Sequence, residues 1–214
     1  MTTDELRESL LASPKNGFSR ITAQDRTEME AYCKRYMAFM DACKTEREAT
    51  AWAVREAENQ GFKPFVPGMD IHPGDKIYYN NRDKAIALAV VGTEPLSAGA
   101  NICAAHVDSP RMDLKPNPLY EDSEIAYFKT NYYGGIKKYQ WVTIPLALHG
   151  VVYKKDGSVI TVTVGEDDSD PVLMISDLLI HLAGDQMQKT ASQVIAGEQL
   201  NVILGTEPLE GEGS

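Results

Sequence analysis

Apolar positions recur with helical spacing over residues 21–60 and with strand character from residue 76 onward. Met29, Tyr32, Cys33, Tyr36, Met40 and Cys43 share one face of a helical repeat, and Thr22 is placed to cap its start. A second helix opens on Thr45, with Glu48 three positions later in a capping-box pattern. It carries Ala49, Trp52, Ala53 and Ala57 on one face, and Gly61 is placed to end it. The stripe of methionine and aromatic residues in the first helix predicts core packing rather than a cofactor box.

Residues 76–79 and 85–91 predict a hairpin around the polar turn Asn80-Asn81-Arg82-Asp83. The run 85–91 is apolar without alternation, which suits a strand covered on both faces. Residues 102–105 have the same character and deliver His106 at a strand end. A central sheet flanked by helices is the economical reading of this first part. After Pro116 the texture changes to short strands and turns, including a hairpin of 151–153 and 159–164 about Asp156-Gly157. Ser176 or Asp177 is placed to cap a helix through Leu178, Leu179 and Leu182. Residues 201–214 end in a composition typical of disorder or a loop.

Composition narrows the function classes. A hydrophobic share of 43% and a charged share of 24% are those of a globular domain, and 214 residues suffice for one large domain or two small ones. A net charge of −10 argues against nucleic acid and against an anionic membrane surface as partners, since both select clustered Lys and Arg. No apolar run reaches bilayer length, and the acidic start Met1-Thr2-Thr3-Asp4-Glu5 lacks signal-peptide character. Cys33, Cys43 and Cys103 are odd in number without metal-type spacing, which predicts reduced thiols in a cytoplasmic protein.

The candidate chemistry centres on Ala104-Ala105-His106-Val107-Asp108-Ser109-Pro110. Ligands gather at strand C-termini in open α/β sheets, where the His106 imidazole suits a divalent metal and the Asp108 carboxylate suits orienting it. Elsewhere the residues are less eloquent. His72 lies in a turn-rich connection and reads as structural, and His149 has no partner identifiable from sequence. Glu166-Asp167-Asp168 lacks calcium-loop spacing and reads as a solvated loop. Gly134-Gly135 lacks the remainder of a phosphate loop, and no serine-nucleophile elbow is present.

Asp108-Ser109-Pro110-Arg111-Met112-Asp113-Leu114-Lys115-Pro116, the run 127–141 through Tyr133-Gly134-Gly135 to Trp141, and Asp177-Leu178-Leu179-Ile180-His181-Leu182-Ala183 together resemble the aspartyl aminopeptidase family of two-zinc exopeptidases. Trp141 is followed here by Val142-Thr143-Ile144-Pro145, where many members carry an Asp-Arg pair, a departure resembling a bacterial subgroup. The resemblance implies an incomplete α/β peptidase domain over 1–112, then a β-rich dimerisation domain over 113–214, with the peptidase fold resuming in a later segment not contained in this chain. It implies His106 as a zinc ligand, Asp108 as its supporting carboxylate, and His181 as a helix-borne group that reaches a neighbouring subunit's site to steady an oxyanion. It further implies two zinc ions per complete site, peptide substrates with acidic N-terminal residues, and dimers building a tetrahedral dodecamer. One imidazole does not hold zinc tightly, so the remaining ligands are expected from the C-terminal part of the peptidase domain, and this chain alone is expected to be inactive. The rival reading is a non-catalytic assembly or peptide-binding module.

Overall fold

The computed structural model describes residues 2–12 and 14–207. The chain forms two compact units, one up to Cys43 and one from Lys44 onward.

In the first unit, α1 (Thr3–Leu10) and α2 (Ala23–Ala42) each open on a capping box, from Thr2 with Glu5 and from Thr22 with Asp25. The expected cap at Thr22 is therefore present. The expected core face is not, since α2 has no buried residue and Tyr32, Tyr36, Met37 and Met40 are all exposed. The rings instead stack on each other along the helix, Tyr32 on Tyr36 and Tyr36 on Phe39.

The second unit begins with α3 (Glu46–Asn59), whose capping box pairs Thr45 with Glu48 as expected. Gly61, at φ +83°, reverses the chain, and the Phe62 amide closes back onto the Ala57 carbonyl. α3 lies against a three-stranded sheet ordered β1 (Lys63–Pro64), β2 (Lys76–Asn81), β3 (Ala85–Val90). The Tyr78 hydroxyl donates to Glu58 at 2.8 Å and Lys76 Nζ donates to the Gln60 carbonyl at 3.0 Å, stitching helix to sheet. The β2–β3 hairpin forms as expected, with Arg82 and Asp83 both at positive φ in its turn.

Two expectations for this part fail. β3 is mostly exposed rather than covered on both faces, and it pairs with β2 alone among the described residues. Residues 102–105 form no strand, and Ile102 is 88% exposed. Apolar runs of this kind become buried strands only beside a neighbour that accepts their hydrogen bonds, and the sheet described here has three strands.

A second sheet is ordered β4 (Arg111–Asp122), β5 (Ile125–Tyr133), β8 (Val202–Gly205), and β6 (Leu148–Tyr153) pairs with β7 (Val159–Val164) in the expected hairpin. The core lies here. Val142, Leu173, Ile175, Ile195, Leu200 and Val202 cluster beneath Phe128, Trp141 and Leu148. The buried Thr130 hydroxyl donates to the Leu200 carbonyl, tying β5 to the segment before β8. The texture after Pro116 suggested short strands, whereas β4 and β5 form one long hairpin. β4 is an edge strand whose register shifts between Leu114 and Leu119, so Pro116 and Pro118 interrupt no interior ladder.

Candidate functional site

The segment 99–110 runs without regular secondary structure into β4, so neighbouring side chains rather than a ladder define its conformation. His106 Nδ1 lies 2.8 Å from the Asp108 carbonyl oxygen and 3.4 Å from Asp108 Oδ1. An Nδ1–H donating to that carbonyl leaves Nε2 as the basic nitrogen. With the side chain 84% exposed, Nε2 is open to a ligand. This is the arrangement by which metal-binding histidines are fixed in tautomer and orientation.

Asp108 is held from a second side. Tyr133, the last residue of β5, donates its hydroxyl to Asp108 Oδ2 at 2.7 Å. That hydrogen bond, helped by the backbone, holds the Asp108 carboxyl below its ordinary value of 3.8 and pushes the Tyr133 phenol above 10.0. Gly134 then turns the chain at φ +79°, with a hypothetical Cβ only 3.4 Å from Pro110, so β5 ends against the candidate segment. Ser109 Oγ donates to the Lys44 carbonyl at 3.3 Å, linking the same segment to the start of α3.

Among the described residues, no three His, Cys, Asp or Glu side chains are grouped to hold a metal ion. His106 and Asp108 by themselves therefore do not make up a zinc site, which takes three or more protein ligands.

His181 lies apart from this pair. The helix expected through 178–182 is a single 3-10 turn, Ile180–Leu182. Asp177 does accept from the Leu178 amide at 2.8 Å, yet no α-helix follows. Leu178, Leu179, Ile180 and Leu182 are all exposed, so nothing among the described residues packs the face a helix would present. His181 itself is exposed, and no helix dipole acts on it.

Sequence reasoning missed two clusters. His149, without a partner identifiable from sequence, places Nδ1 2.8 Å from Glu48 and Nε2 2.9 Å from Glu166, with its side chain 11% exposed. Glu166 lies in an exposed loop, as expected for 166–168, and is one of the two carboxylates that His149 joins. The second cluster is Glu46–Arg111–Asp113 beside Tyr133, with Arg111 Nε 2.7 Å from Asp113 Oδ1. No local pattern signals either, because the partners come from different elements. At His72 the backbone amide donates to Asp75 and the side chain is exposed. A cavity of about 320 Å³ lined by Ile136, Lys137, Lys138, Tyr139, Ala191 and Ser192 includes none of the candidate residues.

A family model described as aminopeptidase I zinc metalloprotease (M18) matches residues 39–213. The chain belongs to the M18 family. A probable M18 family aminopeptidase 1 of Clostridium acetobutylicum is 48% identical over 205 residues, covering 94% of this chain and 44% of that protein. The crystal structure of an M18 aminopeptidase from Thermotoga maritima superimposes with a TM-score of 0.83 at 43% identity, over 95% of this chain and 44% of that one. The yeast mApe1 dodecamer shares the fold at a TM-score of 0.63 and 18% identity, over 82% of this chain and 38% of that one. This M18 chain thus spans less than half the length of the relatives it matches. Its mixed helix-and-sheet fold corresponds to part of theirs.

Proposed function

We propose that the protein containing this chain is a zinc-dependent aminopeptidase that removes N-terminal residues from peptides, with His106 as a metal ligand and Asp108 as its orienting carboxylate. The observation that carries this reading is the His106 geometry: Nδ1 is engaged by Asp108 while Nε2 is open, in a chain of a zinc metalloprotease family. Zinc, when bound, polarises a peptide carbonyl and makes water a nucleophile near neutral pH. On this reading, His106 contributes one ligand and Asp108 holds its tautomer. The other ligands of a two-zinc site lie in the portion of the relatives' length that this chain does not span, and the chain by itself turns over no peptide.

The exposed apolar surfaces of β3 and residues 102–105 fit the same picture, as faces covered by that further portion. His181, in an exposed apolar stretch, is proposed to enter the site of a second subunit and donate to the oxyanion. The region 113–214 serves as the dimerisation domain in a larger homo-oligomer. Acidic N-terminal residues are the proposed substrate preference. Three free cysteines accord with a reducing, cytoplasmic setting, and no helix among the described residues is long and apolar enough to cross a membrane.

The test is a panel of peptides differing only in the N-terminal residue, assayed with the intact protein before and after chelation. Release of the first residue, fastest for Asp or Glu, lost with a chelator and restored by zinc, is the expected result. No metal-dependent release from any peptide would overturn the reading. The incomplete ligand set among the described residues favours the alternative of a non-catalytic assembly or peptide-binding module. That role predicts intact protein without bound zinc.

A further inference from the structure

Asp108 sits at the end of a continuous chain of contacts that begins on α3. Glu46 Oε2 lies 3.6 Å from Arg111 Nη1, and Arg111 Nε donates to Asp113 Oδ1 at 2.7 Å. The guanidinium so held lies 4.3 Å from the centroid of the Tyr133 ring, and the Tyr133 hydroxyl donates to Asp108 Oδ2 at 2.7 Å. Arg111 and Tyr133 are also directly opposite each other in the β4–β5 ladder. The ring is therefore fixed twice, by strand pairing and by a planar cation on its face.

This matters because little else fixes Asp108. Its segment has no ladder, and the carboxylate torsion of an aspartate has a broad, weakly preferred range. A donor on Oδ2 selects one orientation and leaves Oδ1 facing His106 Nδ1 at 3.4 Å. We propose that Tyr133 is a positioning residue for the His106–Asp108 pair, acting through the Asp108 carboxylate, and that Arg111 holds its ring in place. The inference rests on the reading of His106 as a zinc ligand. It adds a group from the far end of β5 that acts on the metal through two intervening side chains.

The experiment is a double-mutant cycle on the intact protein with Tyr133→Phe and Asp108→Asn, reading the zinc dissociation constant by chelator competition alongside kcat and KM. Phenylalanine keeps the ring under Arg111 and removes only the hydroxyl, so the melting temperature should hold. Partners that orient a ligating histidine are worth 10- to 100-fold in metal affinity, so Tyr133→Phe should weaken zinc about tenfold and lower kcat with KM little changed. In the Asp108→Asn background the same substitution should add less than about twofold, because the group it acts through is already altered. Arg111→Lys, which keeps the charge and loses the plane, should weaken zinc in the same direction by a smaller factor. Wild-type zinc affinity in Tyr133→Phe and Arg111→Lys, beside a loss in Asp108→Asn, overturns this inference alone, as do additive effects in the cycle. Unchanged zinc affinity in Asp108→Asn also overturns the inference, since the His106 ring is then held by the Asp108 main-chain carbonyl alone, while the metal-site reading is tested separately by His106→Ala.

Discussion

His149 Nδ1 lies 2.8 Å from Glu48 Oε1, a contact between residues 101 positions apart that joins β6 to the first turn of α3. Its other nitrogen faces Glu166, just past β7, so both ring nitrogens meet carboxylates, an arrangement that favours the protonated ring. Burial pulls the His149 pKa down most strongly, and the hydrogen bonds and charges of Glu48 and Glu166 outweigh it, raising it above 6.5. For Glu48, burial raises the carboxyl, and hydrogen bonds from His149, Thr45 and the Lys44 amide outweigh it to hold it below 4.5.

A pH dependence follows. The raised histidine contributes stability fully present below pH 6.5 and lost as pH rises through its folded value. The lowered glutamate contributes stability present above pH 4.5 and lost as pH falls through its own folded value. Comparing wild type with His149→Gln by denaturant titration, the variant should lose roughly 1.5–3 kcal/mol in mildly acid solution, the range for hydrogen bonds to charged groups. That deficit should shrink as the pH rises through the folded value of the histidine. A deficit that grows with pH would contradict the bridge.

Thr50 is completely buried in α3, and its hydroxyl has no hydrogen-bond partner among the described residues. Valine has nearly the same shape without the polar atom. Thr50→Val should therefore raise stability by about 1 kcal/mol, the lower end of the cost of a buried unsatisfied group. A fall of similar size would mean the hydroxyl is satisfied in solution.

The core of the second unit is centred on Leu200, with no exposed surface, against Ile175 and Val202. Leu200→Ala should cost about 2–5 kcal/mol through the cavity it leaves. The melting temperature checks this, and a change within experimental error would place the core elsewhere.

What the sequence revealed tracks how local the cause is. The caps at Thr22 and Thr45, the Gly61 reversal and the β2–β3 and β6–β7 hairpins are each determined by residues a few positions apart, and all are present. The misreadings concern apolar runs whose fate depends on a neighbour. Residues 102–105, the face of α2 and the stretch 178–182 have the pattern of buried elements, yet little among the described residues covers them. Of the candidate site, His106 and Asp108 were legible as a pair two residues apart. Tyr133, Arg111 and the partners of His149 were not, since strand pairing and tertiary packing bring them together.

The proposed role of His181 predicts complementation. Mixed with a His106→Ala subunit, a His181→Ala subunit should restore part of the activity each lacks alone, because one site of each mixed dimer carries both defects and the other neither. Loss of an oxyanion donor costs about 100- to 1,000-fold in kcat, so recovery would be plain against that background. No recovery from properly assembled mixtures would place His181 within its own subunit or outside the chemistry.

The central claim is that His106 binds the catalytic metal, and zinc content of the intact His106→Ala protein measured by elemental analysis tests it most directly. Loss of bound zinc together with loss of peptidase activity, in a variant that keeps the wild-type melting profile of the core, is the predicted result. Full zinc stoichiometry with unchanged turnover would contradict it.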